Sequence, residues 1–179
     1  MKKILAVVLL IICFQAKAQE ESFVKNQNRH EFRIDALEAL AIPNLEINYE
    51  YVISRYSGAG IATSFSFDDD HKEYQSFAIE PYYRQYFFNN KDFGARGFFV
   101  EGLLRFAGGE EEIINIANNS RTTEDWTNVG IGVVLGQKWV SDNGFVFEIS
   151  LGGGRYLSDD TFSPEGFVRG GILVGYRFF

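Results

Sequence analysis

From position 31 almost to the end of the chain, apolar and polar residues alternate with a period of two. That period puts successive side chains on opposite faces of an extended strand. Turn-forming interruptions divide the pattern into Glu31–Leu40, Asn44–Ser54, Ser57–Phe67, Tyr74–Phe88, Gly97–Ala107, Thr127–Val140, Gly144–Gly154 and Glu165–Phe178. No segment sustains the 3.6-residue apolar period of an amphipathic helix. The segments are about ten to fifteen residues long, whereas strands of globular domains average about five or six and a tilted bilayer-crossing strand takes about nine to eleven. The pattern therefore predicts an all-β chain of eight long antiparallel strands.

The connections add a second signal. The second, fourth and sixth are Arg55–Tyr56, Asn89–Arg96 and Ser141–Asn143. The third, fifth and seventh are Asp68–Glu73, Gly108–Trp126 and Arg155–Pro164, and these are the longer and more acidic set. Short turns at one end and long loops at the other are the plan of an outer-membrane barrel. The first connection, Ala41–Pro43, breaks that alternation by being short, and the fourth is longer than an ordinary turn. In the longest, Ile113, Ile114 and Ile116 beside Asn118 and Asn119 continue a strand above the membrane.

The two faces of the strands differ in kind. One parity is apolar: Leu45, Ile47, Tyr49, Tyr51 and Ile53 in the second strand, Val129, Ile131, Val133 and Leu135 in the sixth, Phe145, Phe147, Ile149 and Leu151 in the seventh. The other parity carries Arg33, Asp35, Glu46, Glu50, Glu80, Arg84, Glu101, Arg105, Lys138, Glu148, Arg169 and Arg177, six acids and six bases. Gly130, Gly132, Gly136, Gly152, Gly171 and Gly175 share that charged face. An eight-stranded interior is just wide enough for side chains, and it takes glycines and paired charges more readily than rows of bulky apolar groups. Buried charges must be paired, since each otherwise costs several kcal/mol. The face assignment thus predicts a transmembrane up-and-down barrel with a salt-bridged, plugged lumen and an apolar outer surface. Two positions fit poorly. Glu38 falls on the apolar face, which places it at the outer rim or beside a bulge. Pro81 lies in mid-strand, where it removes a ladder donor and calls for a bulge.

Composition narrows the picture. The mean hydropathy of −0.11 and a charged fraction of 23% exclude a bundle of membrane-spanning helices. The 18 Phe, 9 Tyr and 18 Gly suit strands with close backbone approach. A net charge of −7 argues against nucleic acid as a partner, because phosphate binding needs a basic face.

The first residues read as an address. Lys2 and Lys3 precede the apolar run Ile4–Phe14, and Ala16-Lys17-Ala18 offers small residues where a signal peptidase cuts. This predicts a signal peptide over residues 1–18 and a barrel domain over 19–179. Cys13, the single cysteine, leaves with the signal, so no disulfide framework is available. Export together with the barrel pattern predicts the outer membrane of a Gram-negative bacterium, in contact with lipid and lipopolysaccharide. The last strand ends Gly175-Tyr176-Arg177-Phe178-Phe179, the form of signal read by barrel-assembly machinery, with Phe179 as the terminal aromatic. Trp139 and Tyr176 fall on the apolar face near the periplasmic rim, where an aromatic girdle belongs.

Leu45-Glu46-Ile47-Asn48-Tyr49-Glu50-Tyr51 resembles the second strand of a group of small outer-membrane barrels of unknown function found in Bacteroidetes-type bacteria. Glu80-Pro81-Tyr82-Tyr83-Arg84 followed by Gly97-Phe98-Phe99-Val100-Glu101 resembles that group's strands four and five. The architecture as a whole resembles the OmpA/OmpX class of eight-stranded barrels. The resemblance implies no catalytic residues.

The chemistry-bearing side chains predict no active site. His30 and His71 lie at opposite ends of the barrel, roughly 30 Å apart at the rise of a strand. An outer-membrane lipid-modifying enzyme would need His71 with Ser76 and a nearby acid. Asp68-Asp69-Asp70 and Glu110-Glu111-Glu112 lack the alternating spacing of a calcium loop and read as solvated acidic surface, with loose divalent-cation binding as the alternative. The glycine runs are followed by no helix, so they are not phosphate loops. No cofactor or metal is expected. A soluble lipid carrier of lipocalin type is a further alternative, and it would require the apolar face to point inward.

Overall fold

A computed structural model describes residues 29–41, 43–67, 75–87, 94–115, 120–158 and 164–178. Residues 1–28, and with them the expected signal peptide, lie outside the described residues, as do Asp68–Asp70, His71 and Phe179. The strands are β1 (His30–Asp35), β2 (Asn44–Ser54), β3 (Ser57–Ser66), β4 (Phe77–Phe87), β5 (Gly97–Asn115), β6 (Ser120–Val140), β7 (Phe145–Tyr156) and β8 (Gly166–Phe178). Each pairs antiparallel with its neighbour in sequence, and β8 pairs with β1 to close the barrel. The fold is the eight-stranded up-and-down barrel that the alternation predicts.

The alternation survives as an inversion of the usual globular order. The polar parity of β1, β2 and β4 is buried and the apolar parity is exposed. Ile53, Leu104, Val133 and Phe145 are each about half exposed, whereas Glu50, Glu101 and Glu148 have no exposed surface at all. Trp139 and Tyr176 face outward, with Trp139 packed on Phe147 at 5.5 Å.

Three local departures have physical causes. The first strand was expected to run to Leu40, yet β1 ends at Asp35 and Ala36–Ala41 forms a short helix, α1. Asp35 Oδ1 accepts the backbone N–H groups of Leu37 (2.8 Å) and Glu38 (3.0 Å), which is an N-cap. Ala, Leu and Glu are strong helix formers. Glu38 consequently leaves the outer face. Its carboxylate takes the Asn44 side-chain N–H at 2.7 Å.

The bulge expected at Pro81 is absent. Ile79↔Phe106 and Tyr82↔Leu103 lie in one unbroken register, and so do the β3–β4 rungs from Ser57↔Gln85 to Phe65↔Phe77. The ladder drops out between those two rungs because Pro81 has no N–H to donate. The same register sets Glu80 opposite Arg105, and their side chains bridge the gap as an ion pair at 2.5 Å. A register shift occurs instead in β2, between Val52 and Ser54, next to the tight turn into β3.

The fifth connection is mostly strand. β5 and β6 stay paired from Gly97↔Lys138 to Asn115↔Ser120, as the isoleucines suggested. The long fourth connection turns inward at its end. Ala95 is fully buried at φ 49°, and Arg177 donates to the carbonyls of Gly94 (2.6 Å) and Ala95 (2.8 Å).

Candidate functional site in the barrel lumen

All twelve charged residues singled out on the polar parity are buried inside the barrel. Strand alternation aims them inward, and closure brings together groups more than a hundred residues apart in sequence. At the end of the barrel where β1 begins and β8 finishes, Arg177 and Lys138 share Glu31, with Arg177 Nε at 2.6 Å and Lys138 Nζ at 3.0 Å. Lys138 also reaches Glu50 at 3.1 Å. Glu50 is the hub of the centre: it takes Arg33 at 2.8 Å, Arg84 at 3.2 Å and the Tyr86 hydroxyl at 2.6 Å. Glu148 bridges the same two arginines, Arg33 and Arg84. Arg84 continues to Glu101, and Glu101 to Arg169. Arg169 then contacts Glu80 at 2.8 Å and Glu46 at 3.4 Å, and Arg105 completes the chain on Glu80.

Asp35 differs from the other eleven. Among the described residues it joins no ion pair. Besides capping α1, its carboxylate accepts the Ile172 N–H of β8. That is the edge of the wall where β1 has stopped, since the last β1–β8 rung is Asp35↔Leu173. A carboxylate thus stands in for a missing ladder partner. Gly171 leaves the room: a Cβ there would overlap the Asp35 carboxylate.

Glu31 takes the place in the network that the sequence reading assigned to Asp35. It has the same parity as Arg33 and is fully buried, so the signal was present. The bases remain six, and the paired acids are Glu31, Glu46, Glu50, Glu80, Glu101 and Glu148. Aromatic members were also missed. Arg84 lies over the rings of Phe99 (4.2 Å) and Tyr82 (4.7 Å), and Lys138 over Tyr86 (4.6 Å). Ring faces attract cations, most strongly where water is excluded. The Tyr82 hydroxyl accepts from Arg33 at 2.8 Å.

Toward the end from which the long β5–β6 hairpin rises, the character changes. Trp126, Tyr156 and Phe167 pack in series at 5.7 and 5.3 Å, with Arg105 over Phe167 at 4.5 Å and bonded to the Tyr156 hydroxyl at 3.0 Å. The Trp126 indole N–H is buried without an acceptor among the described residues.

Chemically, this arrangement holds charge in place. Arginines fix carboxylates in planar, multiply bonded geometry. Each central carboxylate faces two or more cations, and no described group pairs a nucleophile with a base. His30 Nδ1 lies 2.8 Å from the Tyr49 hydroxyl at the rim where β1 begins, away from the network. Among the described residues no cluster of His, Cys, Asp or Glu has metal-binding geometry.

No family model matches the chain, and no curated protein matches its sequence. The crystal structure of the N-terminal β-barrel domain of Pseudomonas aeruginosa OprF is similar to it, with a TM-score of 0.53 at 18% identity. The likeness covers 85% of this chain and 98% of that one. At that identity it shows the fold alone.

Proposed function

We propose that this chain is a non-enzymatic outer-membrane barrel whose lumen is plugged by its own ion pairs, and that it serves envelope structure or binding through its outer loops. The observation that carries this reading is the inversion of faces. An apolar belt made of half-exposed Ile, Leu, Val and Phe has no use in water, and it suits lipid. Residues 1–18 then act as the export signal, and the strand that ends at Phe179 as the mark for barrel assembly. Lipid and lipopolysaccharide surround the wall. The likeness of its β2, β4 and β5 motifs to the Bacteroidetes-type barrels of unknown function is consistent with this role and adds no chemistry to it.

A plugged lumen fits the way the network crosses the barrel from Glu31 on one wall to Lys138 on another, and from Arg33 to Glu148. Ala95 and Gly94 cover its periplasmic end.

Two measurements test the reading. Membrane fractionation with unheated and boiled gel samples is expected to give an outer-membrane protein whose mobility shifts on heating; recovery in the soluble periplasm without a shift would overturn this reading. In planar bilayers the purified protein is expected to give no steady conductance, and stable ion-selective channels would remove the plug.

A further inference from the structure

Above the rung Phe77↔Gly108, β5 and β6 continue without neighbours. Rungs from Gly109↔Trp126 to Asn115↔Ser120 form a two-stranded ribbon, about 24 Å tall at the rise of an antiparallel strand. On its other side β6 meets β7 only from Gly130↔Tyr156 inward. The Leu157 N–H on the Val129 carbonyl (2.8 Å) and the Ser158 N–H on the Asn128 side chain (3.2 Å) close the edge just beyond that rung. Among the described residues nothing pairs with β6 from Ser120 to Thr127 on the side away from β5. That stretch is an open strand edge, a row of backbone donors and acceptors ready to add another strand.

The charge on the ribbon says which strand it admits. Register sets Glu110 opposite Asp125 and Glu111 opposite Glu124. Like charges at directly opposed positions are unfavourable. Across residues 109–126 the sequence has Glu110, Glu111, Glu112, Glu124 and Asp125 against Arg121 alone. Thr122, Thr123, Glu124, Asp125 and Thr127 are exposed. A second copy would bring the same negative charge to the same edge, so the ribbon is guarded against itself. It is not guarded against a strand of opposite sign.

We infer that the β6 edge from Ser120 to Thr127 docks an extended basic polypeptide segment of another protein, which adds as a third strand to the ribbon. Main-chain bonds supply the pairing, and the acidic rungs select the sign and speed the encounter. The inference rests on the proposal that this hairpin stands outside the outer membrane.

The test uses the full-length protein refolded in detergent and a fluorescent probe peptide, Lys-Thr-Lys-Val-Lys-Thr-Lys. The expected result is saturable binding, with slowed amide exchange at Ser120–Thr127. Binding should weaken at least tenfold in a Glu124→Lys, Asp125→Lys variant, and as much for a probe N-methylated at alternate residues, which cannot complete the ladder. Absence of binding would overturn the inference. So would equal binding of the N-methylated probe, which would mean charge attraction alone. Exchange protection by magnesium or calcium ions without peptide would replace the docked strand with a cation. A heat-modifiability gel on each variant confirms that the barrel is folded. An epitope inserted between Ala117 and Asn118 is expected to be detected on intact cells. Its detection only after lysis would fail the topology reading, whereas surface detection without peptide binding would fail the docking inference alone.

Discussion

The two halves of this barrel, one holding both ends of the closed sheet and the other holding α1 and the long β5–β6 hairpin, solve the same problem differently. In the first half eight strands close completely, β1 is laddered to both neighbours, and every inward charge meets opposite charges. In the second half β1 gives way to α1, and Asp35 satisfies backbone on α1 and β8 at once. Beyond it β5 and β6 leave the wall altogether. Where the ladder is complete, side chains are free to pair with side chains. Where the ladder stops, a side chain is drawn into its place.

The largest expected effect breaks the closed half. Glu50→Gln removes the charge that Arg33, Arg84 and Lys138 share. Uncompensated buried charge costs about 3–5 kcal/mol. Urea unfolding in detergent should show a loss of that size. A change under about 1 kcal/mol would mean that water compensates the arginines and that the network is not the plug.

A smaller effect sharpens the contrast at Asp35. Asp35→Ala removes a helix cap, which costs roughly 1–2 kcal/mol, and it should speed amide exchange at Leu37, Glu38 and Ile172 together. Gly171→Ala forces the same carboxylate to move. The two substitutions should therefore be non-additive, with Gly171→Ala losing most of its effect in the Asp35→Ala background. Simple additivity would show that the glycine answers to something else.

A third effect is a pH dependence seated on α1. Glu38 stands on α1, outside the strands, and burial, aided by the Glu46 and Asp35 carboxylates, pushes its carboxyl up to about 7 from 4.5. The folded state therefore holds a proton that the unfolded chain releases between those values. Stability from this group is fully present below pH 4.5 and is lost as pH rises through about 7. Thermal melts across that window should slope downward with pH, and Glu38→Gln should flatten the slope. A slope unchanged in the variant would assign it to another group.

Much of this was legible before any coordinates. The period of two sets the strands, and the pairing of glycine with charge on one parity sets which face is inside. Glu31 was legible too, sharing the parity of Arg33. So was α1: Asp35 followed by Glu38 three residues later, in a run of Ala and Leu with Pro43 behind it, is a helix start and stop. The longer alternating frame concealed it. Pro81 was not legible, because whether a missing donor produces a bulge or only a gap depends on what lies across the strand. Here Leu104 lies across from Pro81 with no shift of register, and Arg105, across from Glu80, pairs with it.

By itself, then, the sequence determined the strand number, the order of pairing and the sign of each face, because those follow from local spacing and from neighbours in the chain. Only the tertiary structure decided which acid meets which base. Arg33 and Glu148 are 115 residues apart, and nothing in either local pattern names the other. Closing the barrel converts a list of inward charges into a particular set of pairs. The same closure left Asp35 at the one edge where backbone, not a cation, was waiting for it.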